Sequence, residues 1–485
     1  MERRGGLGGV LRALAVLAIC GSIGAGTAAA ADFGANDDTG KWSADAGAGF
    51  YADMASLGLR QVVVTVRWQP SDPLGLTERP LLDLTVAAAH SAGLDVVFAT
   101  YPYPPREIEA GLARPEAFGA WLSELAQRYP EVRGYVVGNE PNQPAFWRPQ
   151  FAKSRQLSAA AFGPFLAAGY DALKGVDPTI TVVGVGLSPR GNDRPQARSN
   201  VSTSPVRFLA ALGAWYRASG RDLPLMDGLS FHPYPNRATD ALSKGYPWPN
   251  AGFVNLDRVK QAVWDAFAGT AQPTTREGLR LYLDEIGWQV DTRAVEGHTG
   301  NENVPVTTES HQAEVYAEVV RRAMCDPDIA QVNVFGFRDD AARAGFQAGL
   351  HRVDGTPRAS ADAVRDALAQ PPACTESAWK PARAVLGAAR PRITRVAGRL
   401  QVRLTAAEGA TARACLLAGS HTLATVRRVL ASRRAVTGTC TTAAVQANRI
   451  ATLSIPRPGG AHTLAVRLTA ETNAARATTT VRPVR

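Results

Sequence analysis

Short apolar segments alternate with longer amphipathic segments along the first three quarters of the chain. Between the apolar segments, hydrophobic residues recur every three or four positions, as at Phe118, Trp121, Leu122 and Leu125, which predicts amphipathic helices. The apolar segments have the length of buried strands. There are eight of them, at 31–35, 61–68, 94–100, 134–140, 179–187, 226–234, 279–288 and 331–337.

Buried strands that alternate with helices indicate a parallel sheet. Eight such units between residues 32 and 375 predict a (β/α)8 TIM barrel. An open, doubly wound sheet is the alternative, but no Gly-x-Gly-x-x-Gly sequence follows the first strand.

The pattern changes after a Pro-containing segment that begins at residue 370. Beyond it, short runs such as 400–404 and 462–468 alternate apolar and polar residues and are separated by Gly and Pro. This alternation predicts a small all-β sandwich, immunoglobulin-like or fibronectin-like, over 376–485. The predicted fold class is therefore α/β, a TIM barrel followed by a β-sandwich.

The first 31 residues have the pattern of a secretory signal peptide. Arg3, Arg4 and Arg12 accompany the apolar run 13–19, and small residues follow up to residue 31, where cleavage is expected. An uncleaved anchor is the alternative, but the apolar run is short for a membrane span. We therefore expect a secreted, extracellular product without a transmembrane anchor, either free or attached at the cell surface.

Cleavage at this site leaves four cysteines, Cys325, Cys374, Cys415 and Cys440. Four thiols allow three pairings, and pairing within each predicted domain is the simplest. An oxidising compartment permits disulfides. Neither Cys nor His shows a spacing typical of a metal site, so no metal is expected.

The net charge of +10 is distributed unevenly. Residues 381–485 contain 17 Arg, no Lys and only two acids, so the preceding chain is net negative. This basic segment either binds an anionic envelope polymer or is an ordinary accessory sandwich rich in Arg. A nucleic-acid partner is not expected, because the segment lacks Lys and has few aromatic residues for base stacking.

Polar residues that can do chemistry follow three of the predicted strands. Asn139 and Glu140 end the fourth strand, His232 and Tyr234 end the sixth, and Glu285 ends the seventh. Active sites of TIM barrels lie at the C-terminal ends of the strands. Two carboxylates facing each other there suit glycoside hydrolysis, because one can protonate the leaving oxygen while the other attacks or activates water.

The period of two along the seventh strand predicts which acid faces the site. Glu285 shares a face with Leu281 and Leu283, and Asp284 is expected to point outward, toward the helices. Tyr234 can donate a hydrogen bond that keeps Glu285 ionised.

Other residues can contact a sugar. Asn139 can hold a sugar hydroxyl, and His232 is either sugar-binding or a satisfied core histidine. Trp68, Trp147 and Trp288 can offer a flat apolar face to a pyranose ring, with core packing as the alternative for each.

The motifs GNEPN at 138–142 and LDEIGW at 283–288 resemble those of clan A glycoside hydrolases. The FHPY motif at 231–234 resembles the His-x-Tyr pattern of families 5 and 39 in that clan. The resemblance covers most of 32–370 in strand order. It implies that Glu140 is the acid/base, that Glu285 is the nucleophile, and that no cofactor is required.

These patterns together predict a secreted, retaining glycoside hydrolase that cleaves β-linked oligo- or polysaccharides. In that mechanism Glu140 has a raised pKa while Glu285 stays ionised. The alternative is a non-catalytic carbohydrate-binding or cell-envelope attachment protein on a barrel scaffold.

Overall fold

The structure is a computed structural model of the 485-residue chain. It describes residues 31–370, 372–375, 378–381, 391–406, 408–431, 438–447, 449–456, 459–460, 462–473 and 476–484. The predicted signal peptide lies outside these residues, except for Ala31.

Eight parallel strands close into a barrel in the order β1-β8-β7-β6-β5-β4-β3-β2, so neighbours in sequence are neighbours in the sheet. All eight predicted segments are strands, which confirms the TIM barrel. The strands are β1 (Asp32–Asn36), β2 (Gln61–Trp68), β3 (Asp95–Pro102), β4 (Gly134–Val137), β5 (Thr181–Leu187), β6 (Gly228–Phe231), β7 (Arg280–Ile286) and β8 (Ile329–Phe335).

Each strand is followed by a helical segment on the outside of the barrel. The α-helices are α1 (Ala48–Ser56), α2 (Arg79–Ser91), α3 (Pro105–Glu109), α4 (Pro115–Arg128), α5 (Ser158–Val176), α6 (Pro205–Ser219), α7 (Leu256–Phe267), α8 (Glu309–Cys325) and α9 (Ala359–Ala369). Short 3-10 turns cover Gly40–Trp42, Phe253–Asn255 and Thr275–Glu277. A small hairpin joins Phe151–Ala152 to Arg155–Gln156.

Strand residues alternate between two apolar layers. Val63, Val97 and Val183 belong to a small cluster inside the barrel, with Tyr282 packed against it. Their sequence neighbours, such as Val62, join the large cluster between the strands and the helices. A filled interior leaves the C-terminal mouth as the place where polar side chains can meet.

The second domain contains two antiparallel sheets, ordered β9-β10-β13 and β12-β11-β14-β15. This arrangement confirms the predicted all-β domain. Its elements are β9 (Arg392–Val396), β10 (Arg399–Leu404), β11 (Ala410–Ala418), α10 (Leu423–Ala431), β12 (Gly438–Val445), β13 (Ala451–Pro456), β14 (His462–Ala470) and β15 (Ala477–Val484).

Both acids of the basic segment lie at its contact with the barrel. Glu408 contacts Arg476, whose guanidinium lies 3.0 Å from Asp265 of α7. Glu471 accepts a hydrogen bond of 3.1 Å from Arg207 of α6. The acids therefore help to join the two domains and neutralise little of the outer surface.

The cysteines pair within each domain, which is the simplest of the three predicted pairings. Cys325 bonds to Cys374 and Cys415 to Cys440, with Cα–Cα distances of 5.1 and 4.1 Å. Within the described ranges, no helix has both the length and the apolar character needed to cross a bilayer.

Candidate active site

A tight turn after β4 places Glu140 at the mouth of the barrel. Gly138 has a φ of +114°, and a Cβ there would lie 2.6 Å from the ring of Phe162. Glu140 itself has a φ of +40°, and its N–H donates a 2.7 Å hydrogen bond to the carbonyl of Gly186. Left-handed backbone at a non-glycine residue is strained, so this turn fixes the acid in place. Asn139 lies half-buried at the same turn.

A bulge at the end of β5 supplies the carbonyl that holds this turn. Gly184 pairs with Leu229 and Leu187 with Phe231, so β5 has one residue more than its partner over this stretch. A bulge bends a strand and redirects its groups. Here it presents the Gly186 carbonyl to Glu140.

The structure corrects the predicted orientation of Asp284, which points inward, and a second bulge, at the end of β7, lets Glu285 reach the mouth as well. Leu283 pairs with Val332 and Ile286 with Val334, so one extra residue lies in β7 between these pairs. Tyr282 packs against the barrel interior. Asp284, two residues later, also points inward, where the hydroxyl of Ser230 donates a hydrogen bond to it. The bulge breaks the period of two, and both acids reach the mouth.

His232 joins these carboxylates into one group, which we call the mouth cluster: Glu140, His232, Tyr234, Asp284 and Glu285. The Nδ1 atom of His232 lies 3.2 Å from Glu140 Oε1 and 3.5 Å from Glu285 Oε2. Its Nε2 atom lies 3.4 Å from Asp284 Oδ1. His232 is fully buried, and its two ring nitrogens contact all three acids.

Tyr234 fixes the orientation of Glu285. Its hydroxyl donates a 3.0 Å hydrogen bond to Glu285 Oε2, as the sequence predicted. The tyrosine ring packs edge-on against Phe335 and Phe346. Its carbonyl accepts a hydrogen bond from Tyr246. The donor is thus held by contacts on both its ring and its backbone.

Burial has the largest single effect on the pKa values of His232, Tyr234 and Glu285. It raises the pKa of Glu285 to about 7; Glu140 and Asp284 act in the same direction, while His232 and the Tyr234 hydrogen bond oppose it. Glu285 therefore ionises near neutral pH, a correction to the expectation that it is simply ionised.

The two neighbours of Glu285 keep their protons. Burial alone would lower the pKa of His232, but the adjacent carboxylates outweigh it and raise that pKa well above its usual value. Burial and the charge of Glu285 raise the pKa of Tyr234. Near neutral pH, a positive ring and a neutral phenol thus face Glu285.

A cavity of about 350 Å³ opens above the mouth cluster. Glu140, Tyr234 and Gly287 line its base. The polar segments after β5 and β7 form much of its wall. The residues that they contribute are Ser188, Pro189, Arg190, Asn200, Gln289, Val304 and Pro305.

The three tryptophans predicted as sugar platforms lie in the core instead. Trp68 packs on Phe118, and Trp147 meets two phenylalanine rings edge-on. Trp288 packs edge-on against Tyr316. Each is at most 3% exposed and so offers no face to a ligand. The tryptophan interpretation is corrected to core packing, because all three rings belong to the large apolar cluster between the strands and the helices.

An aromatic ring that the sequence did not single out does face the cavity. Phe346, in the loop after β8, is half-buried and lines the cavity wall. Phe337, which the sequence placed at the end of the eighth strand, is buried beyond the strand's end at Phe335. Only the course of this loop distinguishes the two phenylalanines, so sequence spacing could not.

Within the described part of the chain, no group of three or more His, Cys, Asp and Glu side chains has a metal-binding arrangement.

Similar folds occur among solved structures. A glucosidase from Croceicoccus marinus matches with 12% identity over 89% of this chain and 96% of that chain, at a TM-score of 0.47. A family 39 glycoside hydrolase from Bacteroides cellulosilyticus WH2 matches with 15% identity over 80% and 74%, at 0.46. A GH5_18 protein from Streptomyces cattleya, in complex with GlcNAc, matches with 17% identity over 74% and 84%, also at 0.46.

Families 5 and 39, which the sequence motifs resemble, are thus among the similar structures. No protein-family model and no curated protein matches the chain.

Proposed function

We propose that this protein is a retaining glycoside hydrolase that acts on β-linked oligo- or polysaccharides. The observation that supports it best is the shared contact of Glu140 and Glu285 with one nitrogen of His232, at the C-terminal mouth of a TIM barrel. Two carboxylates so close together, one of which lines a cavity, suit acid-assisted displacement at a sugar carbon.

The proposed reaction has two steps. Glu140, in its acid form, donates its proton to the glycosidic oxygen while the Glu285 carboxylate attacks the anomeric carbon, so that a glycosyl ester forms and the leaving sugar departs as an alcohol. Glu140 then takes a proton from water, the water oxygen attacks the same carbon, and Glu285 is released. No cofactor takes part in either step.

The spacing of the carboxylates favours the retaining form. Since both oxygens lie within 3.5 Å of one atom, they are separated by less than about 7 Å. Retaining enzymes place the two carboxyl groups roughly 5–5.5 Å apart, and inverting enzymes roughly 6.5–9.5 Å. The cluster therefore leaves little room for a water between Glu285 and the sugar.

His232 and Tyr234 assist by holding charge rather than by exchanging protons with the sugar. The positive ring attracts the ionised form of Glu285, and the phenol donates to the same carboxylate. Both interactions oppose the effect of burial on the pKa of Glu285. They keep a usable fraction of the nucleophile charged near neutral pH.

The decisive experiment traps the glycosyl ester. A 2-deoxy-2-fluoro β-glycoside with a good leaving group slows the second step, so mass spectrometry should find one adduct per chain, located on Glu285. Glu131→Gln, before β4 and away from the mouth, is the matched control and should be labelled like the wild type. An adduct on another residue, or inverted stereochemistry of the first product, contradicts the proposed mechanism.

The alternative function, carbohydrate binding without catalysis, predicts a different result. Oligosaccharides would then bind with measurable affinity, and neither hydrolysis nor labelling would occur across glucan, xylan, mannan and acidic polysaccharides.

We also propose that the enzyme is secreted through its signal segment and that 376–485 is an accessory domain. The two disulfides are compatible with an extracellular location. N-terminal sequencing of the exported protein should begin near residue 31 or 32. An intact Met1 on exported protein would contradict cleavage.

Attachment of the accessory domain to an anionic envelope polymer is proposed from its arginines. Arg392 and Arg403 lie directly opposite each other on β9 and β10 and are exposed. Like charges opposite each other are destabilising, and an anionic ligand would relieve this. Replacing both with Gln should reduce salt-sensitive retention on cell walls, whereas Arg427→Gln on α10 should not; equal retention of all variants would contradict attachment.

A further inference from the structure

We infer that Arg190 and Arg237 recognise an anionic group of the substrate, and that the glycan cleaved here contains a carboxylate, sulfate or phosphate on a sugar near the scissile bond. This inference rests on the proposed function, since it concerns the same cavity. Both arginines line the cavity whose base holds Glu140 and Tyr234.

Arg190 is presented by a loop that is fixed on both sides. Its carbonyl accepts a hydrogen bond from Gln143, which follows the Glu140 turn. The carbonyl of Pro189 accepts from the N–H of Ala251, and the N–H of Gly191 donates 2.9 Å to Asn250. The backbone on each side of Arg190 is therefore tied to neighbouring loops, and its side chain is exposed at the cavity wall.

Arg237 enters from the loop after β6, on a separate element. Its carbonyl accepts a 2.9 Å hydrogen bond from the N–H of Asp240. The same loop is anchored where the Tyr246 hydroxyl donates to the carbonyl of Tyr234, within the mouth cluster. Two loops that are both tied to the catalytic region thus each place one guanidinium on the same cavity.

Among the described residues, these two guanidinium groups lack the carboxylate partner that several other arginines of the barrel have. Arg128, Arg207 and Arg221, for example, pair with acids at 2.5, 2.9 and 2.6 Å. Among the described residues, no Asp or Glu oxygen lies within 4.0 Å of Arg190 or Arg237. Two unneutralised cations on one cavity favour an anionic occupant.

The base of the cavity carries the opposite charge. Glu140 lines it, and His232 connects Glu140 to Asp284 and Glu285, so an anionic group close to these acids would be repelled. The arginines are on the wall, and the anionic group would therefore belong to a sugar beside the cleavage point. Guanidinium binds carboxylate, sulfate and phosphate oxygens through paired N–H donors, which gives selectivity as well as attraction.

The test compares matched neutral and anionic substrates on the full-length protein. The backbone that the wild type cleaves fastest is prepared unmodified, oxidised to the carboxylate at C6, and sulfated at C6, and KM and kcat are measured for each. The anionic forms should have the lower KM, with a preference that weakens as salt is added. The carboxylate and sulfate arms show which anion the site prefers.

The variants Arg190→Gln and Arg237→Gln should each raise KM for the preferred anionic form about ten-fold, the loss expected for a charged hydrogen bond. KM for the neutral form should rise less, because that form lacks the anionic group. Arg198→Gln is the matched control, because Arg198 lies in the same loop as Arg190 but lines a different groove.

Two results would overturn the inference while leaving the proposed function intact: a preference for the neutral substrate, or an equal effect of the Arg variants on both substrate forms. If no substrate is hydrolysed, the proposed function fails, and calorimetry on the same oligosaccharides still decides the inference. Tighter binding of the anionic forms that is lost in Arg190→Gln supports it, and equal binding contradicts it.

Discussion

Two groups of buried and half-buried acids lie near the mouth of the barrel and differ in what neutralises them. In the mouth cluster, three carboxylates share one histidine and one phenol. In the second group, Arg358 binds Asp339 through two N–H groups and Glu309 through Nε at 3.0 Å, and Arg352 binds Glu309 from the other side. Guanidinium groups thus neutralise the second group, whereas the first has more acid than base.

The pKa values reflect this difference. Burial would raise the pKa of Glu309, but hydrogen bonds from Arg352 and Arg358 outweigh it and lower that pKa. Burial dominates at Glu285 and raises its pKa to about 7. At Asp339, which is more deeply buried, burial outweighs the contacts with Arg358 and raises the pKa. Two arginines thus favour the charged form of Glu309, while Glu285, which is paired only with histidine and tyrosine, can gain and lose a proton near neutral pH.

The largest expected effect is on activity. Glu285→Gln removes the nucleophile and should reduce kcat on an aryl β-glycoside at least about 10⁴-fold. Far-ultraviolet circular dichroism should show an unchanged fold. Glu309→Gln is the matched change in the other group and should keep most activity per folded molecule. A comparable loss of kcat in Glu309→Gln would contradict the view that only the mouth cluster is catalytic.

The next effect is on stability. Arg358→Met leaves Asp339 buried without its partner and should lower the free energy of unfolding by about 3–5 kcal/mol in urea titrations. The double variant Arg358→Met/Asp339→Leu should recover most of that loss, because no unpaired charge remains. The exposed pair Arg365–Asp362 serves as a control and should contribute less than about 1 kcal/mol. If the double variant does not recover the free energy of unfolding, the loss in Arg358→Met comes from packing and not from an unpaired charge.

A smaller effect links Glu285 to stability through pH. Its folded pKa is raised, so the folded state holds this proton more tightly than the unfolded state, and the stability gained is lost as pH rises toward about 7. Glu285→Gln avoids this ionisation. At pH 8 the variant should be more stable than the wild type by on the order of 3 kcal/mol, and at pH 4 nearly equal. Equal stability of the variant and the wild type at pH 8 would indicate that the pKa of Glu285 is not raised in the folded protein.

The smallest predicted effect is at Tyr234. Tyr234→Phe removes a hydrogen bond that lowers the pKa of Glu285, so the acid limb of the rate profile should move to higher pH. At neutral pH, kcat should fall about ten-fold. Tyr246→Phe, which loses a bond to backbone only, should leave the limb in place. If the acid limb of Tyr234→Phe stays at the wild-type pH, the Tyr234 hydroxyl does not influence the ionisation of Glu285.

The order of elements could be predicted because buried strands and amphipathic helices follow strong local patterns. All eight barrel strands were found, whereas β9, β12 and β15 were not. Each of these three is an edge strand of its sheet. Edge strands are paired on one side only and are partly exposed, so residues such as Thr439 and Thr479 replace the apolar alternation that marks a central strand.

The candidate site could be predicted in part. The positions of Glu140, His232, Tyr234 and Glu285 at the ends of β4, β6 and β7 depend on local sequence, and the closed parallel barrel brings them together. The sequence could not show that Tyr282 and Asp284 occupy the inner face of β7 while Glu285 also reaches the mouth, because the bulge in β7 depends on pairing with β8.

By itself, the sequence determined the number and order of the barrel strands, the acids at their ends, and the uneven distribution of charge. These properties are local, since each depends on residues within one turn or one strand. Only the tertiary structure decided that the tryptophans are buried, that Phe346 and two unpaired arginines face the cavity, and that one histidine contacts three acids. Those contacts join residues up to about 150 positions apart, from Glu140 to Glu285, and burial and pKa values depend on all neighbours in space.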